Sequence, residues 1–588
     1  MLKKVVCLVL CLLMLLPILV ACKEDDAISE IIDEASKSTC TLNVWLMAEP
    51  DMDMAQAEKV AEAINKLTKA KYKTKVNIKF FPESEYYEAV EAAFAWEDAN
   101  QDKRITIGDT GTKGYLNDYG MVELSYPEIA ENEVDILFIG SFEKYSSYIN
   151  SGRLALLDNQ IQEHQELSAT VNPTLLTAAR YDKQIYAIPN NHGAGHYTYL
   201  EIRTDLLEEY ASFGQGTTIY DTAFQNFLDY IYRTYNDPAE KIYPLYSADG
   251  TIDLDFYHYW NFAVNADGSV NAQVETFSLF GDSYPGKTQL DNVNLLADRD
   301  YMRTLATKAY YENTEGYITT DADAAYAVRV VEGGLAEKQK AEADGYTVIQ
   351  MEGPTLRNED VYSSMFAVGA NTVSVKRSME IIACINTDEE VRNLLQYGIR
   401  DVNYTLSTTR IDGLEYPYVT LLAGNGYHMD VAKTGNQFLA YPVGIENAQQ
   451  WTAAKVQNLE LAKDPCLGVH LTQKSFKLNL KNVRVINAVS AAVKTYLDTL
   501  HTPAQIMALN STVAGFAADN AGMAACLLEI TGPVSYTEGG AETAVTVEDL
   551  AAALTAYQQT ERPASRSQQY APYQLYAEWC VSAGITTE

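Results

Sequence analysis

The chain has 588 residues, 47% of them hydrophobic, and 79 acidic against 44 basic side chains leave a formal net charge of −35. So large an acidic excess excludes nucleic acid and the surface of an anionic bilayer as partners, because phosphate-rich surfaces repel it. The length exceeds one ordinary core and predicts at least two domains.

In chain order, Lys3 and Lys4 precede an apolar run from Val5 to Val20, which closes on Leu19-Val20-Ala21-Cys22. A charged start, a short apolar core and a small residue before the cut describe an export signal rather than a membrane span. Leu-Val-Ala-Cys resembles a bacterial lipobox, which implies that residues 1–22 are a lipoprotein signal and that Cys22 carries the lipid, palmitate included; an ordinary signal peptide or a single spanning anchor is the competing reading. Residues 23–39 are polar and acidic and read as a flexible tether. About 17 residues at ~3.3 Å each reach roughly 55 Å. Beyond Cys7, Cys11 and Cys22, the cysteines Cys40, Cys384, Cys466, Cys526 and Cys580 have no close spacing, so neither a disulfide framework nor a zinc site is visible.

Thr41–Met47 alternates as a strand, Ala57 to Leu67 recurs at helical spacing, Val76–Phe80 is a second strand ended by Pro82, and Tyr86 to Phe94 a second helix. This βαβα order predicts a parallel sheet covered on both faces, which binds ligands at the carboxyl ends of its strands. A strand over 134–140 and a helix closed by Gly152 follow, so the loops 47–51 and 140–142 become candidate ligand positions, with Trp45, Glu49, Ser141 and Phe142. Asp98, Asn100, Asp102, Thr106 and Asp109 fall at the oxygen-donor positions of an EF-hand calcium loop. Lys103 replaces the turn glycine and Asp109 the bidentate glutamate, so the segment admits either a structural Ca2+ or an acidic surface insertion.

Residues 181–210 hold two β-type runs, Gln184–Ile188 and Tyr197–Arg203, separated by Asn190-Asn191-His192-Gly193-Ala194-Gly195, which tolerate unusual backbone angles. Pro189 lacks the N–H a ladder needs, so pairing is expected to stop there. We read the segment as an interdomain crossing. It resembles the hinge of the sugar-type extracellular solute-binding proteins (family 1), whose "Tyr-Ala-Ile-Pro" strand corresponds to Tyr186-Ala187-Ile188-Pro189 and whose second strand and helix correspond to Tyr199, Arg203, Asp205, Leu206 and Leu207. The same family pattern is matched by Asp135-Ile136-Leu137-Phe138-Ile139-Gly140 with Tyr145, by Gly152 to Asp158, and by Gly435-Asn436-Gln437-Phe438.

The resemblance implies an α/β, two-lobed periplasmic-binding-protein-like (type II) clamshell with extra C-terminal helices. Its lobes would be residues 40–191 plus 324–374, and 192–323 plus 375–588 with a helical extension. It implies a lipid-anchored substrate-binding protein of an ABC transporter on the extracellular face of the cytoplasmic membrane of a Gram-positive bacterium. Such a protein closes over a small-molecule solute, an oligosaccharide by family preference, and passes it to ABC permease subunits. It would be a monomer, need no cofactor, and touch the membrane only through its lipid. Forty-one Tyr beside 5 Trp suit stacking on sugars, although Tyr-rich strands account for the same excess. The candidate ligand-binding residues are Trp45, Glu49, Ser141, Phe142, Asn190, His192, Tyr197, Trp260, Glu332 and Asn436, with ordinary packing as the competing reading for each. No G-x-S-x-G, H-E-x-x-H or phosphate loop appears, so the chain is not expected to be an enzyme. A surface glycan-binding lipoprotein without transport is the alternative, and a glycoside hydrolase using two carboxylates a further one.

Overall fold

The computed structural model describes residues 40–50, 52–101, 104–107, 112–116, 122–123, 132–210, 212–252, 259–264, 270–275, 299–463, 467–468, 470–471, 479–500, 502–513, 515–517 and 519–561. Cys22, the tether and the last 27 positions from residue 562 lie outside them. The strands of the two main sheets are β1 (Cys40–Ala48), β2 (Thr74–Pro82), β3 (Ile136–Ile139), β4 (Ala187–Pro189), β5 (His196–Arg203), β6 (Tyr243–Tyr246), β7 (Ile318–Thr319), β8 (Tyr326–Gly333), β9 (Tyr346–Leu356), β10 (Met365–Val368) and β11 (Ala462–Lys463). The chain divides into two compact units, residues 1–192 with 361–449 and residues 193–360 with 450–588, and passes between them three times.

The first unit carries the sheet β2-β1-β3-β10-β4. β1 runs parallel to β2 and β3, while β10 is antiparallel to β3 and β4. β1 and β3 are buried along almost their whole length, as strands covered on both faces must be. The Met54–Tyr72 helix starts at Asp53, whose side chain accepts the Ala55 N–H, and buries Ala57, Val60 and Ile64, one apolar stripe at helical spacing. Asp135, fully buried, accepts from the Asn43 N–H (2.8 Å), the Thr372 hydroxyl (2.6 Å) and the Val373 N–H (2.8 Å). It thereby clips β1 to the start of the Val375–Thr387 helix.

The second unit carries the sheet β7-β6-β8-β5-β9-β11. β6, β7 and β8 are parallel, and β5 is antiparallel to both β8 and β9. Alternation along β5 sends Leu200 and Ile202 to one core with Phe224, Phe227, Leu228 and Ile231 of the Thr222–Thr234 helix. Tyr197 and Tyr199 pack on the other face with Ala341 of the Leu335–Ala343 helix. A helix on each face is why the strand is buried throughout rather than on alternate residues. The Leu480–Asp498, Asn520–Thr531 and Val547–Glu561 helices share a further core through Val483, Ile486, Val489, Leu527, Leu550 and Leu554.

Three features differ from the sequence expectation. Residues 324–360 belong to the second unit, not the first, because β8 and β9 flank β5 through antiparallel ladders. Residues 375–449 belong to the first unit, not the second: Lys71 pairs with Asp388 and Arg377 donates to the Tyr72 carbonyl, tying both helices of this stretch to the Met54–Tyr72 helix. Pairing does not stop at Pro189, which opposes Met365 in the edge strand β4 where a missing N–H costs nothing, and the Asn190 N–H still donates to Ser364 O (2.9 Å).

Candidate functional site

In the second unit, the register sets Tyr246 at the carboxyl end of β6 opposite Arg329, so β8 overhangs β6 by the residues from Val330 onward. The notch is bridged by residues 247–252, a tight turn in which Asp249 Oδ1 accepts from the Ser247 hydroxyl (2.8 Å) and the Thr251 N–H (3.0 Å), with Gly250 at φ +78°. The Glu312 carboxylate accepts the Ile252 N–H (2.7 Å) and fixes the far end. A cavity of about 380 Å3 results. Ile219, Leu245 and Ile252 give it an apolar floor, and Tyr246, Asp249, Arg329 and Glu332 a polar rim. It opens where parallel strands end, the position at which open α/β sheets take ligands.

Its charges are arranged in pairs. Arg329 donates through Nε and Nη2 to Glu201 Oε2, both at 2.5 Å, and through Nη1 to the Tyr326 hydroxyl (3.3 Å). Burial alone would lower the Arg329 pKa; the Glu201 carboxylate outweighs it and leaves the guanidinium above its ordinary value. Arg329 also lies 5.4 Å from the Tyr346 ring centroid, and Tyr326 stacks on Tyr246 with centroids 4.9 Å apart. Arg357 donates to Glu332 (3.1 Å). The Thr251 backbone N–H first, and the Ser247 hydroxyl after it, hold the exposed Asp249 carboxyl below its usual range.

In the first unit, Glu49, Ser141 and Asn190 follow the carboxyl ends of β1, β3 and β4 and share one edge of the sheet, since β3 and β4 are both antiparallel to β10. Glu49 accepts from the Asp430 N–H (3.2 Å) and lies 3.6 Å from Lys433 Nζ, which also reaches Glu83 (3.3 Å). Ser141 caps the Phe142–Asn150 helix, accepting the Lys144 N–H. His192 Nδ1 bonds the Asn190 carbonyl (2.8 Å), and Asn191 O accepts from the Gln437 N–H (2.8 Å). On the second unit's side of the crossing, Gln457 donates to the Ala194 carbonyl and Asp360 accepts the Gly195 N–H.

Of the sequence-derived candidates, Glu332 lines the cavity, and Glu49, Ser141 and His192 are partly exposed at their edges. Five others are side chains of the core. Trp45 is 5% exposed and packs on Phe81 (4.8 Å), Phe142 lies against Tyr362 (5.0 Å), and Tyr197 is stacked on Tyr199 with its hydroxyl on Glu460 (2.8 Å). Asn190 donates to the Ser364 hydroxyl (3.0 Å), and Asn436 caps a short turn and donates to Asn386 O. A buried ring cannot stack on a solute, so Trp45, Phe142 and Tyr197 are not platforms in this conformation. Trp260 lies on the Tyr259–Val264 strand, and its side chain is outside the described residues.

The described candidates of the calcium loop have other partners. Both Asp98 oxygens are taken by the Arg153 guanidinium (2.6 and 2.5 Å), and Asn100 donates to Trp96 O. Thr106 sits in a strand paired antiparallel with Thr112–Leu116, where an EF-hand would continue as a helix. Asp102 and Asp109 lie outside the described residues, and among the described residues no three His, Cys, Asp or Glu side chains converge to hold a metal. Tyr246, Asp249, Arg329 and Glu201 were not foreseen. The available signal was Tyr243-Pro244-Leu245-Tyr246 followed by Ser247-Ala248-Asp249-Gly250, a strand running into a turn.

No protein-family model matches the chain. It is similar to a carbohydrate ABC transporter substrate-binding protein of Streptococcus pneumoniae serotype 4, at 22% identity over 358 residues, 58% of this chain and 67% of that protein. It also superposes on the crystal structure of the N-glycan transport solute binding protein of Streptococcus pneumoniae, with a TM-score of 0.51, 17% identity, and coverage of 84% of this chain and 97% of that one. The fold is therefore the α/β fold of a solute-binding protein. Among the described residues no helix is long and apolar enough to cross a membrane.

Proposed function

We propose that this chain is a substrate-binding protein that captures a carbohydrate, an oligosaccharide, outside the cell and hands it unchanged to the permease subunits of an ABC importer. The relative from Streptococcus pneumoniae bears that description, and the N-glycan transport protein lends the fold. The single observation that carries the reading is the cavity of about 380 Å3 where β6 and β8 end, with an apolar floor, a tyrosine ring and a rim of hydroxyls and carboxylates. Sugars ask for that mixture: apolar contact for their C–H faces and directed acceptors for their hydroxyls. Glu49, Ser141 and His192 of the first unit are proposed as further solute contacts, and lipid on Cys22 as the attachment to the membrane. The reading requires neither a cofactor nor a calcium ion.

A thermal-shift panel of oligosaccharides against the chain from residue 23 onward tests it. A ligand that binds only the folded form at a hundred times its Kd stabilises by about 2.7 kcal/mol, so the true solute raises the melting temperature and chemically similar non-solutes do not. A broad panel that leaves the transition unmoved overturns the reading, and release of reducing ends from the bound sugar would turn it into a hydrolase.

A further inference from the structure

We propose that the cavity of the second unit selects uncharged over anionic sugar residues, and that Glu201 sets this preference by neutralising Arg329; the inference rests on the carbohydrate reading of the same site. Arg329 is the one cation among the described residues that line the cavity. A lining arginine would ordinarily be the anchor for a uronic acid or another sugar carboxylate, because its planar fork matches that group. Here Glu201, 2% exposed, already takes one N–H each from Nε and Nη2 and balances the charge, and Tyr326 takes one N–H of Nη1. The other lining charges are negative. Glu332 is matched by Arg357, and Asp249 stands exposed on the rim, where among the described residues its donors are Ser247 and Thr251.

Counting Arg329 and Arg357 against Glu201, Glu332 and Asp249, the described residues of the cavity and their partners carry one negative charge in excess. A carboxylate entering it loses hydration without gaining a counter-ion. A neutral hexose meets only acceptors and ring faces that suit it.

Isothermal titration of neutral gluco-, manno- and galacto-oligosaccharides, and of the counterpart of each carrying one terminal hexuronic acid, reads the preference as a ratio of affinities. The neutral member is expected to bind at least tenfold tighter at low salt, with the gap narrowing as ionic strength rises. Glu201→Gln unmasks the Arg329 cation and is expected to cut that ratio at least tenfold. Since Glu201→Gln also strands a charge, the double variant Glu201→Gln with Arg329→Gln serves as its control, and there the neutral preference returns. Asp249→Asn, an exposed substitution that spares the core, lowers the ratio about threefold. Uronic forms that bind the unaltered chain as tightly as the neutral ones overturn the proposal. So does a ratio that none of these variants moves. Silence from both members of every pair overturns the carbohydrate reading itself.

Discussion

Asp388 shows what one carboxylate does in this fold. It caps the Glu389–Tyr397 helix, accepting the Glu390 (3.0 Å) and Val391 (3.1 Å) N–H groups, and pairs with Lys71. Burial would raise its pKa, but Lys71 and the capping N–H groups together pull it below the ordinary aspartate value. A carboxyl depressed in the folded state contributes stability that is full above the unfolded pKa near 4 and is lost as pH falls through the folded value. Asp388→Ala is therefore expected to cost about 1 to 2 kcal/mol at pH 6, from the cap and the ion pair together. The cost of the same substitution should shrink as pH falls below the unfolded value and on through the folded one; urea unfolding at a series of falling pH values measures the trend, and a cost that never changes with pH would refute the assignment. Residue roles at the site were only partly legible. Glu332 could be named through the family resemblance, and it lies one residue before the end of β8. Glu201 and Arg329 could not: they meet across the β5–β8 ladder from positions 128 apart, and nothing local marks the partnership. The burial of Trp45 was not legible, because an aromatic on a strand has the same pattern whether a solute or Phe81 covers it.

Elements were more legible than their partners. The periodicity of Val391, Leu394 and Leu395 marks a helix at Glu389–Tyr397 well enough. It hides the helix's other face, where Arg392, fully buried, donates to the carbonyls of Asn436 (3.1 Å) and Val431 (3.0 Å) and to Gln396 Oε1 (2.8 Å). Asn393 donates to Leu439 O (2.8 Å), and Tyr397 donates to Tyr441 O (2.5 Å). This polar ladder moulds residues 427–441, which bring Lys433 to Glu49 and Glu83. A charge in a helix pattern ordinarily signals the solvent face, and here that rule loses to three buried acceptors. Arg392→Met removes the guanidinium donors and leaves the three acceptors to the Thr434 hydroxyl, on Gln396 and Val431, and the Leu439 N–H, on Asn436, so a loss of about 2 kcal/mol is expected in urea unfolding. Arg392→Lys should recover only part of it, because an ammonium cannot reproduce the fork. A methionine variant as stable as the parent would show that the ladder is incidental. The hairpin Tyr404–Ile411 with Leu414–Leu421 has a local signal as well: Asp412-Gly413, both at positive φ, is the two-residue turn such hairpins favour. Sheet membership was not readable, since the alternation of β8 is the same whichever sheet it joins.

On the scale of the whole molecule, the formal charge of −35 sets the terms on which the proposed membrane attachment would have to hold. A chain so acidic gains nothing electrostatically from an anionic leaflet and is repelled by it, so retention at the membrane has to be hydrophobic. Among the described residues no helix offers that, and the lipobox-like Leu19-Val20-Ala21-Cys22 is the feature of the sequence that does. Each buried methylene of an acyl chain is worth about 0.8 kcal/mol, enough for stable anchoring when more than one chain is attached. The described residues begin at Cys40, and the stretch from 23 to 39, if it is the tether the sequence suggests, would let the binding body stand up to roughly 55 Å off the surface at full extension. The unaltered protein is accordingly expected to stay with the membrane fraction through a wash in 1 M salt and to incorporate labelled palmitate. Cys22→Ala should lose the label and appear in the medium with its carbohydrate affinity intact, because residue 22 lies 18 positions before the first described strand. Release of the parent protein by salt alone would mean that the attachment is ionic, against the sign of its charge, and would remove the lipid from the account.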